Sequence, residues 1–211
     1  MDLHNIRESY NFDSLEESKV NSDPMIQFNH WFTQYKALGI KDYNAMAIST
    51  IRENEPDSRI VLLKEITDNG LLFYSNYNSA KGKSLSENPK ISVLFFWREQ
   101  ERQVRINGVV SKISKQESAA YFEKRPYLSQ IGAAASNQSN PIESREALEN
   151  KFEKFRGTFP EGSKVPIPQD WGGYLIKPMK FEFWQGREGR LHDRLIFTSD
   201  QDGWNIHRIQ P

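Results

Sequence analysis

The sequence predicts a mainly β, antiparallel (α+β) fold, a barrel or sandwich with helices covering its ends. Three observations lead there. Short strand-sized runs follow one another and are joined mostly by hairpin turns. The alternation of strand and helix that builds a doubly wound sheet is lacking, and no G-x-G-x-x-G follows any strand. Among the 211 residues are 13 Phe, 8 Tyr and 5 Trp, large rings that fill β-cores and line flat ligand pockets.

Residues 1–23 are polar and charged and read as an arm that orders on contact, with one short helix. Residues 24–211 read as one domain. Pro24 opens a helix in which Met25, Phe28, Trp31, Phe32 and Tyr35 recur at helical spacing before Gly39 stops it. That stripe is expected to pack on the core. Strands follow at Asn44 to Ile51, Arg59 to Ile66 and Leu71 to Asn76. Asn54–Asp57 and Asp68–Gly70 supply the turns between them. Ser79 caps a short helix that ends at Asn88-Pro89. The next strands are Lys90 to Trp97 and Arg102 to Ile113, the second carrying Gly108 as a bulge signal. Ser114 and Glu117 form a capping box for a helix running to Arg125, which Pro126 breaks. A loop rich in Ser, Ala and Gly precedes a helix over Ile142 to Phe159. The last sheet segment reads as Tyr174 to Lys177, Phe181 to Gln185, Leu191 to Thr198 and Trp204 to Ile209. Its turns fall at Gly186–Gly189 and Asp200–Gly203.

Composition removes several function classes. With no cysteine, disulfides, thiolate zinc sites, iron–sulfur clusters and cysteine nucleophiles are out. His4, His30, His192 and His207 show no metal spacing, and no Gly-x-Ser-x-Gly elbow supports a hydrolase. The 28 basic and 28 acidic side chains cancel, so no global field pulls the chain onto nucleic acid or an anionic membrane. Any anion site is local. The polar N-terminus and strand-sized apolar runs lead to the expectation of a soluble, cytoplasmic protein.

Four constellations carry the chemistry. Pleating through Arg190-Leu-His-Asp-Arg194 places Arg190, His192 and Arg194 on one face and Leu191, Asp193, Leu195 and Phe197 on the other. On spacing alone, a solvated outer face and an anion or polar-ring site both remain open. Tyr121 and Arg125 lie four apart on one helix face with Ser129 just beyond, a candidate phosphate clamp or a surface Arg beside a half-buried Tyr. In Arg59-Ile-Val-Leu-Leu-Lys64, two cations bracket an apolar run expected to be buried on both faces. Strict pleating puts Arg59 and Lys64 on opposite faces, so one shared site needs a bulge or a ligand wrapping the strand end. Ser79-Ala-Lys-Gly-Lys83 offers helix N–H groups and lysines to a phosphate, or is an ordinary exposed turn. Trp171-Gly-Gly173 reads as a nucleotide-hugging turn, a bulge or a tight bend.

In order along the chain, these blocks resemble the pyridoxine (pyridoxamine) 5′-phosphate oxidase family from about Pro24 to Pro211. The most specific are Trp171-Gly-Gly-Tyr174, Glu182-Phe-Trp-Gln-Gly186 and Arg190-Leu-His-Asp-Arg194. Supporting them are Phe73-Tyr-Ser-Asn76, Glu101-Arg-Gln-Val104, Ser129-Gln-Ile-Gly132, Gln138-Ser139 and Arg208-Ile-Gln-Pro211. The resemblance implies a split β-barrel holding FMN at the interface of a homodimer. By position, the flavin falls to Arg59, Ile60, Val61, Leu62, Leu63, Lys64, Tyr74, Ser75, Lys81, Gln103, Gln138, Ser139, Trp184 and Arg194. The substrate falls to Lys64, Tyr121, Arg125, Ser129, Arg190 and His192, with Tyr121, Arg125 and Ser129 on its phosphate. The implied reaction turns pyridoxine or pyridoxamine 5′-phosphate into pyridoxal 5′-phosphate with dioxygen, releasing hydrogen peroxide and, from the amine, ammonia. Arg190 and His192 are then the catalytic pair, His192 being the expected proton acceptor.

Two departures stand out. Ala80 occupies a position where the family usually has Arg, with Lys83 a candidate substitute. Ala133-Ala-Ala135 lies where relatives often carry a Trp. A split-barrel flavoprotein with another substrate and a non-catalytic FMN or pyridoxal phosphate binder are the rival readings. Substrate profiling discriminates the first, and peroxide release on adding pyridoxine 5′-phosphate the second.

Overall fold

The computed structural model describes residues 1–5, 8–201 and 203–211. Among them, nine strands form one antiparallel sheet, flanked by five α-helices. The order is β2 (Glu55–Leu62), β1 (Ala45–Arg52), β5 (Lys90–Trp97), β6 (Arg102–Lys112), β7 (Trp171–Gln185), β4 (Gly70–Asn76), β3 (Glu65–Thr67). Strands β8 (Asp193–Ser199) and β9 (Trp204–Arg208) leave that path, β8 pairing with β7 and β9 with β8.

Strand β7 organises the sheet. One edge pairs with β6 from Tyr174 to Gln185. On its other edge, Trp171–Ile176 pair with β4 and Lys180–Gln185 with β8. The division falls at Pro178, which has no N–H to donate. Here the register with β6 slips between Asn107 and Gly108. A Cβ on Gly108 would sit 2.3 Å from the Lys177 carbonyl, so the bulge needs glycine. The bulge expected at Gly108 is therefore present. The two strands expected at 174–177 and 181–185 are one continuous strand instead, because a bulge absorbs the proline.

Helix α1 (Pro24–Lys36) is capped by Asp23, whose carboxylate accepts the Met25 N–H. It buries Phe28, Trp31 and Tyr35. Phe28 meets Phe95 at 5.1 Å between ring centroids, Trp31 meets Phe183 at 5.3 Å edge-on, and Tyr35 stacks on Trp97 at 5.6 Å. The aromatic stripe is a core stripe, as expected.

Helices α3 (Lys115–Glu123), α4 (Tyr127–Ala135) and α5 (Arg145–Thr158) cover a second cluster of Phe122, Ile131, Val165 and Trp171. The capping box at Ser114 and Glu117 is formed. Helix α4 corrects the expected Ser/Ala/Gly-rich loop. It packs on α5, the Phe152 ring lying at ordinary contact distance, 3.9 Å, from where a Gly132 Cβ would be. Ile131 and Ala135, four apart, form the buried face that composition obscured. The α5 helix begins three residues later than expected, at the Ser144 cap.

Before Asp23 the described residues form no helix; in one of their turns the Lys19 N–H bonds the Glu16 carbonyl at 3.0 Å. Leu15 anchors this arm, 3% exposed in the core. The turn expected at Asn54–Asp57 sits earlier, at Glu53 and Asn54, whose φ values are 53° and 63°. The Asp200–Gly203 turn includes Asp202, outside the described residues; its flanks close through Asp200 N–H to Gly203 O at 2.9 Å.

Phe28→Ala should lower the unfolding free energy by about 3–5 kcal/mol, since a fully buried ring is replaced by a cavity. A denaturant melt should show the lower midpoint with an unchanged slope.

Candidate active site

Leu62 ends β2, and the chain then crosses toward the β4 edge. Leu63 N–H bonds the Asn44 carbonyl at 2.9 Å, and Lys64 N–H bonds the Leu72 carbonyl at 2.8 Å. The crossing resolves the parity problem: Arg59 and Lys64 line the same cleft because the strand stops between them. Leu63 points into the core at 3% exposure and does not line the cleft. The run is not buried on both faces as expected. Strand β2 lies at one end of the sheet path, and Ile60 is 65% exposed.

The cleft has a volume of about 780 Å³, within the range of small-molecule and cofactor sites. Its walls bring together Arg59, Ile60, Val61, Leu62 and Lys64 from the β2 end, Tyr74 and Ser75 from β4, and Lys81 from α2 (Ala80–Glu87). Tyr121, Arg125 and Ser129 enter from the α3–α4 junction, and Gln138 and Ser139 from the segment after α4. Arg125 lies past the end of α3, two residues beyond Glu123, yet reaches the same cleft as Tyr121.

Two cations here lack acidic partners, Lys81 buried and Arg125 half-buried. Lys81 is 7% exposed, and its Nζ donates to Ser75 Oγ at 3.3 Å and Ser79 Oγ at 3.4 Å. Among the described residues no carboxylate lies in ion-pair range of it. Burial and then the Arg59 charge lower its pKa, with Asp57 opposing. Arg125 lies 4.8 Å over the Trp171 ring, and its Nη1 is buried with no hydrogen-bond partner. Burial lowers its pKa, opposed by Tyr121. A charge taken from water and left unpaired is costly, so an anion could be received at either position.

Three parallel rings back the cleft. Tyr74 stacks on Tyr121 at 3.9 Å and on Trp171 at 5.4 Å. Burial, then Glu65 and Tyr121, push the Tyr74 pKa up to about 12, keeping its hydroxyl a donor at neutral pH. Arg59 is held by Asp57 and by Thr50 Oγ1 at 2.8 Å. Gly172 and Gly173 form neither a turn nor a bulge. They pair in β7, and added Cβ atoms would meet Tyr77 Oη at 2.1 Å and Ile113 Cδ1 at 2.5 Å. Ala80 lines the cleft, whereas Lys83 is exposed on α2 and does not.

The other candidates form a second group that does not line the cleft. Gln103, Trp184 and Arg194 lie directly opposite one another across β6, β7 and β8, hence on one face. Arg194 pairs with Glu182 through Nη2 at 2.6 Å and Nε at 2.8 Å. The His192 ring lies 4.6 Å from the Trp184 ring. The expected alternation along 190–194 is not found: β8 starts only at Asp193, and Arg190 ends a 3₁₀ turn with φ 63°. Leu191 is accordingly 74% exposed. Sequence reasoning missed three contributors to this group. Tyr10, on the arm, packs 5.7 Å from the His192 ring, and an irregular arm gives no periodic signal. Glu182 and Asp193 lie within recognised blocks, yet only the fold reveals their partners.

Residues 33–159 match the family model described as pyridoxamine 5′-phosphate oxidase. Residues 171–211 match the pyridoxine 5′-phosphate oxidase C-terminal dimerisation region. The chain belongs to the pyridoxamine 5′-phosphate oxidase family. Its relatives include a pyridoxine/pyridoxamine 5′-phosphate oxidase of Trichormus variabilis, 45% identical over 99% of this chain and 98% of the relative. One of the same name from Christiangramia forsetii is 46% identical over 100% and 99%. Among solved structures, PhzG from Burkholderia lata in complex with tetrahydrophenazine-1-carboxylic acid superposes with a TM-score of 0.88. It is 27% identical, over 94% of this chain and 98% of that one. An FMN-binding, pyridoxamine 5′-phosphate oxidase-related protein from Nostoc punctiforme shares the fold at a TM-score of 0.69 and 15% identity, over 94% and 100%. The antiparallel split barrel is thus the family's fold.

Proposed function

We propose that this chain oxidises pyridoxine 5′-phosphate and pyridoxamine 5′-phosphate to pyridoxal 5′-phosphate in vitamin B6 metabolism, as an FMN-dependent homodimer. The observation that carries the reading is one cleft with two differently built anion positions. Lys81, Ser75 and the capped start of α2 make the first, and Arg125 with Tyr121 and Ser129 the second. Two phosphomonoesters, a flavin mononucleotide and a phosphorylated vitamin, meet that demand together.

The residues present fit FMN. Lys81 is buried among hydroxyls without an acid, and Arg59, Gln138 and Ser139 line the same walls. These, with the stretch Ile60 to Leu62 and Tyr74, would hold the flavin. FMN when bound supplies the acceptor for the hydride leaving the substrate's 4′ carbon and the route by which dioxygen becomes hydrogen peroxide. The chain's own contribution is placement: Arg125, Tyr121, Ser129 and Lys64 grip the phosphate, and the ring rests in a cleft backed by aromatic side chains.

A second copy is what joins the two groups of candidates. Ile60 and Leu62 line the cleft, and Ile60 lies opposite Ala47 in a row continuing through Leu94, Arg105, Glu182 and Ile196. The next row holds Phe96, Gln103, Trp184 and Arg194, with Phe96 58% exposed. The cleft therefore borders the same outer sheet face that bears the second group, and part of that face falls in the region matched to dimerisation. A partner seated there would bring its Gln103, Trp184, Arg190, His192 and Arg194 to the cleft.

Anaerobic addition of pyridoxine 5′-phosphate to the FMN-loaded protein should bleach the flavin absorption band; an unchanged spectrum rules the reading out. Arg125→Ala should raise KM about 10–100-fold with kcat little changed, the loss of a charged hydrogen bond made in the ground state. Phe96→Asp should convert the dimer to monomer in light scattering and depress activity with it, since a charge would be buried in the proposed seam.

A further inference from the structure

We propose that Asp193 is a positioning residue that locks His192 as a neutral ring with its proton on Nε2. His192 then offers the substrate a hydrogen-bond donor. The backbone N–H of Arg187 donates to His192 Nδ1 at 3.1 Å. An amide N–H has only a donor role, so Nδ1 carries no proton, and a neutral imidazole then carries it on Nε2.

The geometry that sets this bond is built from three chain segments meeting at one carboxylate. Asp193 Oδ2 accepts from Arg187 Nη1 at 3.3 Å and from the Leu15 N–H at 3.1 Å. Asp193 Oδ1 accepts from Arg208 Nη1 at 2.6 Å, and Arg208 is itself paired with Glu17 at 2.8 Å. The loop carrying Arg187 is thereby tied to the arm and to β9. Its start is fixed as well: the Gly186 N–H bonds the Glu101 carbonyl at 2.8 Å, and a Cβ at Gly186 would press on Tyr10 at 2.8 Å. Trp184 and Tyr10 hold the ring itself, at 4.6 Å and 5.7 Å. Asp193 does not line the cleft, and it sets the tautomer through this loop.

The charged ring is disfavoured for the same reason. An imidazolium would aim an Nδ1 proton at the Arg187 N–H, exchanging a hydrogen bond for a clash of donors. Burial and then the neighbouring Arg190 lower the His192 pKa, with Asp193 pulling the other way. With Nε2 already protonated and Nδ1 engaged by backbone, His192 has no free site for an incoming proton. The expectation that it accepts the substrate's proton is reversed: its partner is a lone-pair oxygen or nitrogen of the substrate, bound and oriented. That last step rests on the proposed function, whereas the tautomer does not.

Long-range proton–nitrogen NMR on the full-length protein labelled with ¹⁵N-histidine reads the ring directly. At neutral pH, His192 should give a bare Nδ1 and a protonated Nε2. Asp193→Asn should shift the population toward Nδ1–H or an averaged pair. A native ring that is charged or protonated on Nδ1 overturns the proposal, as does an Asp193→Asn tautomer identical to the native one. In turnover of pyridoxine 5′-phosphate, His192→Gln keeps an amide N–H near the Nε2 position and should recover at least about tenfold over His192→Ala. Equal loss in both variants points to a proton acceptor and sinks the donor role. Absence of any oxidation by the native protein would instead defeat the functional reading and leave the tautomer to the NMR measurement.

Discussion

The pairing of β7 with three neighbours is the constraint on which everything else depends. Its first half is bonded to β4 and its second half to β8, while β6 runs along the opposite edge from Tyr174 to Gln185. Such an arrangement needs a strand that changes partners without losing its ladder. The Gly108–Pro178 bulge allows this, since a proline can sit at a bulge where no N–H is required. On one side of the change, Trp171 stacks with Tyr74 and forms the aromatic back of the cleft. On the other, Trp184 and its neighbours form the second group. A single strand therefore sets both groups and keeps them apart within one copy.

That separation explains why an incomplete-looking site is a natural outcome of this fold. A sheet row is a rigid ruler: residues directly opposite across antiparallel strands share a face. Ile60 sits at the cleft and Glu182 farther along its row, beside Trp184 in the next. No loop closure within one chain moves one end of such a row onto the other. Self-association of a twofold kind, in which the same face meets itself, is the economical way to bring the ends together.

Much of the fold was legible from local chemistry, and the failures share one cause. The Ser114 capping box and the Asp23–Pro24 helix start are decided by atoms within a few residues, and each formed where its signal lay. Helix α4 and the continuity of β7 are decided by partners distant in sequence. Ile131 of α4 is buried with Phe122, Val165 and Trp171, and Pro178 is accommodated because β6 supplies a bulge. The cleft followed the same division. Tyr121, Arg125 and Ser129 converge as their spacing implied, although Arg125 lies outside the helix. The 190–194 segment did not follow its pleat, because the Arg187–Asp193 and Arg208–Asp193 pairs hold the chain in a turn until β8 begins.

The same chain also separates structural from receptive cations by how it distributes its acids. Arg102 is 3% exposed, yet Asp13, Gln34 and Gln185 all accept from it, and Trp31 lies beneath its guanidinium at 4.3 Å. Arg194 is matched by Glu182, and Arg208 by Glu17 and Asp193. Each of these fastens one segment to another, and each has a carboxylate partner. Lys81, which is buried, and Arg125, which is half-buried, have only hydroxyls or ring faces for company. Equal totals of acid and base hide this difference, since net charge averages over the whole surface. Partner by partner, the cations at the arm and barrel end are satisfied by protein, whereas in the cleft Arg59 has Asp57 but Lys81 and Arg125 have no carboxylate.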